Sequence, residues 1–160
     1  MARYAVNNTL AGSQQNMGTG YKSIIAVWAI TGATTLRRGW IDEFEVGADG
    51  APNATDCQIV WDWSKMTADG TGTVATPNPM EGTDAAALLQ YKVNYTANPT
   101  VTAATSLLTF AANQRAATRW QSRDKSEAII IPATNLGGVV VEAKSTNYAS
   151  TVIAHEYVTE

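Results

Sequence analysis

The segment from Asp56 to Ser64 has the clearest alternation of apolar and polar positions in the chain. Read with a period of two, Ile59, Trp61 and Trp63 share one face, which is typical of a half-buried β-strand. The opposite face is polar and carries Asp62, which we expect to be solvated or paired there. Because tryptophan buries a large apolar area, a core that accepts both rings needs a second sheet opposite. The pattern therefore predicts a two-layer β-sandwich with this strand near its centre.

Other short segments repeat this pattern of apolar or alternating positions and predict the remaining strands. Turns rich in glycine, proline and asparagine separate them, and no alternation of strands with long helices is present, so the predicted fold class is all-β. About eight strands with uneven loops fit a two-sheet antiparallel β-sandwich of jelly-roll-like topology best, and an immunoglobulin-like sandwich second. The segments are 21–30, 35–46, 91–96, 107–112, 116–121, 127–132, 139–143 and 151–158.

The predicted strand 35–46 places Trp40, Phe44 and Val46 on one face. We expect this face to meet the two tryptophans of the first strand across the core, since alternate residues of a strand point to the same side. Gly39 inside the strand predicts a bulge or a close backbone approach.

At most one short helix is predicted, over Thr83 to Gln90. Three alanines and two leucines favour it, and Thr83 or Asp84 can cap its first turn. A helix of this length is not stable by itself, so it would depend on packing against the sandwich.

Two glycine-containing segments stand outside the strand pattern. Residues 1–20 are polar and are predicted to form a flexible N-terminal arm without a core strand, followed by a single β-sandwich domain over residues 21–160. Residues 67–82 are predicted to form a long loop, and loops of this length usually contact a partner or a ligand. We expect both segments to contact the partner of this protein. The candidate partner-binding residues are Asn7, Asn8, Gln14, Asn16, Pro77, Asn78, Pro79 and Met80.

Charge is sparse and evenly distributed. Charged residues make up only 16% of the chain, the net charge is −3, and acidic and basic residues are interspersed. This distribution lacks the basic patch of a nucleic-acid-binding protein. The longest apolar run, 24–30, is too short to cross a bilayer, and the N-terminus lacks the apolar segment of a secretory signal. We therefore expect synthesis in a cytoplasm and no nucleic-acid or membrane partner.

Side chains that carry enzymatic chemistry are scarce. His155 is the only histidine and Cys57 the only cysteine, whereas nucleophilic catalysis needs an imidazole beside its nucleophile, and a zinc site needs three or four ligands. We expect Cys57 to be an inert buried thiol and His155 to be an ordinary strand residue. No catalytic residue, metal ion or cofactor is predicted, and we do not expect an enzyme.

Paired carboxylates would be needed for a glycosidase, and Asp42 and Asp62 are the candidates for such a pair. Asp42 lies on the apolar face of its predicted strand, where a charge needs a partner, so a structural ion pair is favoured over catalysis. Glu43 and Glu45 lie on the other face, which we expect to be solvated. The candidate partners of Asp42 are Arg38 and Arg119.

The five tryptophans all fall within predicted strands, which favours core positions. Trp120, between Arg119 and Arg123, is the best candidate for an exposed or interface aromatic residue. An exposed tryptophan there would be able to stack on a sugar ring, as in carbohydrate-binding modules.

Four motifs are spread along the chain. They are Gly-Ala-Thr-Thr-Leu-Arg-Arg-Gly-Trp (32–40), Thr-Pro-Asn-Pro (76–79) with Asp84-Ala-Ala, Lys92-Val-Asn-Tyr-Thr (92–96) and Asn113-Gln-Arg-Ala (113–116). Together they resemble a family of small tailed-bacteriophage, cyanophage-like capsid decoration (cement) proteins, and the similarity covers most of the chain from residue 15 onward.

The resemblance implies a β-sandwich that binds the outer surface of the phage head and bridges neighbouring major-capsid subunits, often as a dimer or trimer. The implied partners are the major capsid protein and other copies of this chain, and the implied location is the virion. The alternative is a carbohydrate- or receptor-binding module of a phage head or tail fibre. The family has no catalytic signature to carry over to this sequence.

Overall fold

A computed structural model describes residues 1–29 and 36–160 of the protein. Within these ranges the chain forms twelve strands and no helix, and the strands make two six-stranded sheets whose pairings are all antiparallel. The prediction of an all-β, two-sheet antiparallel sandwich is confirmed. The outer ends of the predicted strands 21–30 and 35–46, at residues 30 and 35, lie outside the described residues.

The first sheet, sheet A, has the order β10-β3-β12-β1-β6, and β9 pairs with the same edge of β3 as β10. Its strands are β1 (Arg3–Asn7), β3 (Gly39–Ala48), β6 (Asn78–Pro79), β9 (Thr118–Gln121), β10 (Ile129–Ile131) and β12 (Val152–Thr159).

The second sheet, sheet B, has the order β5-β7-β2-β11-β4-β8. Most connections cross from one sheet to the other, as they do in jelly-roll-like winding. The strands of sheet B are β2 (Lys22–Trp28), β4 (Gln58–Ala68), β5 (Thr71–Val74), β7 (Gln90–Ala97), β8 (Thr100–Asn113) and β11 (Gly138–Lys144).

The core between the sheets is built around the alternation that the sequence shows in β4. Ile59, Trp61 and Trp63 are all buried in it, as predicted. Phe44 of sheet A stacks on Trp63 with ring centroids 3.9 Å apart. Burying the roughly 200 Å² of one such tryptophan side chain contributes up to about 5 kcal/mol at 25 cal/mol per Å². The stacked rings of Phe44 and Trp63 therefore hold the two sheets together.

A β-bulge in β3 changes which of its residues face the core. Between two adjacent residues of β12, the register of β3 skips Asp42. An extra residue reverses the alternation on one side of the bulge, so Ile41 is buried together with Phe44, whereas Trp40 is only half-buried. The prediction that Trp40 shares the core face is therefore wrong, because a strict period of two does not account for the extra residue at the bulge.

The N-terminal segment belongs to sheet A. β1 lies between β12 and β6 and buries Tyr4 and Val6, and Met17 further along is buried as well. The prediction that residues 1–20 contain no core strand is wrong. Two alternating apolar side chains in a polar segment are too weak a pattern to identify a strand whose pairing partners are far away in the sequence.

Residues 67–82 do not form one long loop. They include the end of β4, all of β5, which pairs with β7, and all of β6, which pairs with β1. Pro79 lies in β6 at the edge of sheet A, where its missing N–H removes no bond from the sheet interior.

Residues 83–90, predicted to be a helix, form turns, irregular structure and the start of β7. The backbone N–H groups of Leu88 and Leu89 donate to the carboxylate of Glu160, at 2.9 and 3.1 Å, instead of to helical carbonyls. A Cβ added at Gly39 would lie 2.4 Å from Cδ1 of Leu89 and 3.4 Å from the carbonyl oxygen of Thr159, so a side chain and not another backbone segment lies closest to this glycine. Tertiary contacts thus outweigh the propensity of a segment too short to be helical by itself.

Candidate functional site

The two segments predicted to contact a partner lie side by side in the structure. β1 pairs with β6 in the register Tyr4↔Pro79 and Ala5↔Asn78. Just beyond β6, the backbone N–H of Met80 donates to the carbonyl oxygen of Arg3 at 2.8 Å. The sequence separates these segments by about seventy positions, and the sheet joins them into one edge.

The candidate partner-binding residues differ in how accessible they are. Asn16, Asn78 and Met80 are exposed, whereas Asn7, Gln14, Pro77 and Pro79 are half-buried. The amide of Gln14 is engaged within the chain, since it donates to the carboxylate of Asp49 and to the carbonyl of Val152.

Asn8 is a structural residue, and its prediction as a partner contact is wrong. Only 1% of its surface is exposed. Its amide donates to the carbonyl of Val152 at 2.9 Å and accepts from the N–H of Ala154 at 2.9 Å. Asn94, which has a positive φ of 52°, donates its side-chain amide to the carbonyl oxygen of Asn8 at 2.7 Å. Asn8 therefore ends β1 by satisfying the backbone of β12, as buried polar groups must be satisfied.

A cleft of about 640 Å³ opens next to the start of β1. Its lining includes the apolar residues Met1, Trp40 and Leu88. The exposed residues Arg37 and Arg38 line it as well. We call the surface formed by this cleft and the adjacent Met80 the N-terminal corner. Its defining residues are Met1, Arg37, Arg38, Trp40, Met80 and Leu88.

The apolar side chains of the N-terminal corner are unusually exposed. Met1 is 77% exposed, Met80 is 55% exposed and Leu88 is 49% exposed. The Lys125 ammonium group lies 4.6 Å from the centroid of the Trp40 ring and adds a third cation beside the cleft. The corner thus combines exposed apolar atoms with charged side chains of both signs, because Asp84 and Glu160 line the same cleft as the two arginines.

The backbone that carries Met80 and Leu88 is fixed to the ends of β1 and β12. Tyr4 donates its hydroxyl to the carbonyl of Ala85 at 2.7 Å, and the carboxylate of Glu160 accepts from the N–H groups that precede β7. A backbone held in this way loses little conformational entropy when a partner covers the exposed side chains that it carries.

An ion-pair network covers part of the outer face of sheet A beside the corner. Arg3 donates to Asp42 at 3.1 Å and to Glu43 at 2.8 Å, and Arg119 also pairs with Glu43. Asp42 is therefore ion-paired as predicted, but with Arg3 and not with Arg38 or Arg119. Arg3 is the partner that the sequence did not indicate, because it lies in the segment that was predicted to be an arm.

Glu43 is buried within this network, so the prediction that it is solvated is wrong. It is 4% exposed, whereas the neighbouring Glu45 is exposed. Burial alone would raise the pKa of Glu43, but hydrogen bonds and charges from Arg3 and Arg119 outweigh burial and hold this pKa below its usual value. The carboxylate of Glu43 is therefore ionised in the folded protein.

The predicted aromatic–basic group around Trp120 lies at the edge of sheet A. Trp120 is half-buried and stacks on Phe44 at 5.1 Å, while Arg119 and Arg123 are exposed. Because one face of the Trp120 ring is covered by the core, the ring does not present an open stacking platform. A role for this group in an interface stays a prediction.

The lone histidine lies on the outer face of sheet A. The His155 ring stacks on Tyr157 with centroids 4.5 Å apart. Burial lowers the pKa of His155, and the nearby carboxylates of Glu45 and Glu43 oppose this effect. Among the described residues, no group of three histidine, cysteine or carboxylate side chains is placed to hold a metal ion.

The two carboxylates considered for a glycosidase are not brought together. Asp42 lies in sheet A, whereas Asp62 lies in sheet B between two core-facing tryptophans. Asp62 is buried and accepts hydroxyl hydrogen bonds from Ser64, Ser106 and Thr109. The expectation that Asp62 is solvated or ion-paired is wrong, since hydroxyl groups take the place of water and of a cation.

Glu142 lies directly opposite Asp62 on the neighbouring strand β11. Burial raises the pKa of Glu142, the hydroxyl of Ser23 opposes this effect, and the charge of Asp62 adds to it. Two carboxylates on the same side of a sheet repel each other, so this pair is a candidate site of local strain in sheet B.

No family model, curated protein or solved structure matches this chain. Within the described ranges, no helix is long and apolar enough to cross a membrane.

Proposed function

We propose that this protein is a viral structural protein, a capsid decoration protein that binds the outer surface of a tailed-phage head and stabilises contacts between neighbouring major-capsid subunits. The observation that carries the proposal is the N-terminal corner, where three large apolar side chains stand exposed on a backbone anchored to the sheet. Exposed apolar patches of this kind on a polar protein mark interaction sites.

The corner also limits the chemistry of the partner. Charged side chains of both signs lie beside the apolar ones, so the fitting partner is a protein surface with apolar side chains in the middle and polar or charged side chains around them. These charged residues are Arg37, Arg38, Asp84, Lys125 and Glu160. A capsid shell repeats such a surface many times, so a modest contact at each site is enough to stabilise the assembled shell relative to its free subunits.

The alternative is a carbohydrate- or receptor-binding module of a head or tail fibre. It has less support, because the aromatic residue on which it depends, Trp120, is stacked against Phe44. Binding of the purified protein to a glycan array, lost on Trp120→Ala substitution, would favour this alternative over capsid binding.

Deletion of residues 1–18 does not test the proposal cleanly, because it would remove β1 from the interior of sheet A. The sharper test is occupancy on phage heads prepared without the protein, measured by co-sedimentation. We expect Met80→Ser/Leu88→Ser to reduce occupancy at least tenfold, since two interface anchors of this size contribute about 1–3 kcal/mol each.

The matched control is Leu10→Ser, which removes an apolar side chain that is 77% exposed and lies beyond the end of β1, outside the N-terminal corner. It should leave occupancy unchanged. Equal occupancy of wild type and the double variant, with both folded, would rule out the corner as the capsid-binding surface. Failure of the folded wild-type protein to bind any phage head tested would count against the decoration function itself.

A further inference from the structure

The edges of the two sheets are protected unevenly. Four strands at these edges have four residues or fewer: β5 and β9 have four each, β10 has three, and β6 has two and includes a proline. β9 also carries Arg119. Short, charged or proline-containing edges are the usual means by which proteins prevent pairing with another chain.

β8 has none of these protections. It is 14 residues long and forms the end of sheet B, and within residues 1–29 and 36–160 the only strand with which it pairs is β4. Its sequence, Thr-Val-Thr-Ala-Ala-Thr-Ser-Leu-Leu-Thr-Phe-Ala-Ala-Asn, contains no charged residue, no glycine and no proline. A long uncharged edge strand is a template for strand addition unless a specific partner covers it.

The backbone groups on the free side of β8 can be assigned from its pairing. The N–H of Gln114 donates to the carbonyl of Cys57 at 3.0 Å, and the register continues from there as Asn113↔Gln58 to Leu108↔Trp63. Hydrogen-bonded and non-hydrogen-bonded pairs alternate in an antiparallel ladder. The N–H groups of Thr109 and Ala111 therefore point away from β4, toward the free edge.

The side chains of β8 on the core side are also incompletely covered. Leu108 and Phe110 pack against the core but remain half-buried, and Leu107 is 40% exposed. The rings of Phe110, Phe44 and Trp120 are nearly parallel and span the gap between β8 and the edge of sheet A. This side of the sandwich is thus apolar as well as open along its backbone.

We propose that β8 is a homodimer interface, in which β8 pairs antiparallel with β8 of a second copy, centred on Ala111, and joins the two B sheets. An antiparallel pair of identical strands has two-fold symmetry, so each free N–H meets a free carbonyl of the other copy. The absence of charge in β8 means that self-pairing places no like charges opposite each other. A second copy would also cover the half-buried Leu108 and Phe110.

This inference goes beyond capsid binding, because it concerns the purified protein without any phage head. The first measurement is sedimentation equilibrium of the full chain at concentrations up to about 1 mM, where even an association worth about 4 kcal/mol is half complete. We expect a reversible monomer–dimer equilibrium. A protein that stays monomeric over this range, or that forms a closed trimer, would overturn the proposal.

The second measurement uses Ala111→Pro, which removes one N–H from the free edge without removing a bond between β4 and β8. Its matched control is Ala111→Val, which keeps the N–H. We expect the proline variant to lower the association constant at least tenfold and the valine variant to leave it within twofold, with circular dichroism confirming the fold of both.

Where Ala111→Pro does not fold, Ala111→Lys takes its place, because residue 111 is exposed and two lysines would face each other near the two-fold axis. A folded proline or lysine variant that dimerises as strongly as wild type would show that the dimer forms through another surface. Either variant leaves the N-terminal corner intact, so failure of this inference is distinguishable from failure of the capsid-binding proposal.

Discussion

Trp63 donates its indole N–H to the carboxyl group of Glu156 at 3.0 Å, across the space between the two sheets. Both side chains are fully buried, and the second carboxyl oxygen of Glu156 has no hydrogen-bond partner among the described residues. An acidic residue in the middle of a sandwich core is costly when ionised. Burial raises the pKa of Glu156 to about 8, although the hydrogen bond from Trp63 opposes this shift.

The pKa of Glu156 predicts a pH-dependent stability. An unfolded glutamate has a pKa of about 4.3, so between this pH and about 8 the folded protein holds a proton that the unfolded chain releases. The free energy of unfolding should therefore fall as pH rises through this window, by up to about 1.4 kcal/mol per pH unit, and should level off above it. Glu156→Gln keeps an acceptor for Trp63 and should remove this slope.

Urea unfolding of wild type and Glu156→Gln between pH 4 and pH 9 measures the effect. The matched control is Glu127→Gln, at an exposed position, which should unfold with the pH dependence of wild type. Parallel stability curves for wild type and Glu156→Gln would show that Glu156 does not hold its proton in this window.

A comparison of the two core tryptophans of β4 measures how much one hydrogen bond contributes to stability. Trp63 donates to Glu156, whereas the indole N–H of the equally buried Trp61 has no acceptor within the described part of the chain. Trp63→Phe and Trp61→Phe remove similar volumes, but only the first leaves a buried carboxyl group without its donor. We predict that Trp63→Phe costs about 1–3 kcal/mol more than Trp61→Phe, measured by chemical unfolding at pH 5, where the carboxyl group of Glu156 is protonated. Equal losses would mean that the hydrogen bond is energetically neutral.

Glu43 and Glu45 lie two residues apart on β3 and differ mainly in burial. Glu43→Gln removes a carboxylate held by Arg3 and Arg119 and should cost about 1–3 kcal/mol at pH 7. Glu45→Gln removes an exposed carboxylate that lies 3.8 Å from Arg119 and should change stability by less than about 0.5 kcal/mol.

The difference in stability between the Glu43→Gln and Glu45→Gln variants should depend on pH. Because the pKa of Glu43 is lowered in the folded state, its stabilisation is present above the unfolded pKa of about 4.3 and is lost as pH falls through the folded value. Thermal unfolding at pH 7 and at pH 2.5 measures both points. An unchanged cost of Glu43→Gln at the lower pH would contradict the ion-pair explanation.

Asn8 and Asn16, both predicted as partner contacts, should behave differently when mutated. Asn8→Ala leaves the N–H of Ala154 and the carbonyl of Val152 without their side-chain partner, so we expect a loss of about 2–4 kcal/mol. Asn16→Ala, at an exposed position, should change stability by less than about 0.5 kcal/mol. Differential scanning calorimetry of both variants provides the comparison, and similar melting temperatures would contradict the role assigned to Asn8.

Period-two alternation and short apolar runs were sufficient to predict the fold class and the central strands. Alternation identified β4 with Trp61 and Trp63 buried and the segments that became β7 and β12, and apolar runs identified those that became β2 and β11. These strands are buried on at least one face over several consecutive residues, so the hydrophobic effect leaves a clear pattern in their sequence.

The sequence was less informative where long-range pairing determines the structure. β1 and β6 are short and polar, and their strand conformation depends on each other and on β12. The bulge at Asp42 leaves no local signal, yet it changes which side of β3 Trp40 occupies. For the same reason, the N-terminal corner was only partly predicted: Met80 was named, but Leu88 and Trp40 reach the surface through contacts that appear only in three dimensions.

The pairing of β1 with β12 has a consequence for how the protein forms. Arg3 lies opposite Thr159, and the N–H of Glu160 donates to the carbonyl of Ala2 at 3.0 Å. During synthesis, β1 leaves the ribosome long before β12, so sheet A can close only after β12 has been made. Sheets closed by such distant segments fold slowly, and until then the uncharged edge of β8 and the unpaired β1 are both accessible to other chains. The protein is therefore most prone to aggregate before β12 has joined sheet A.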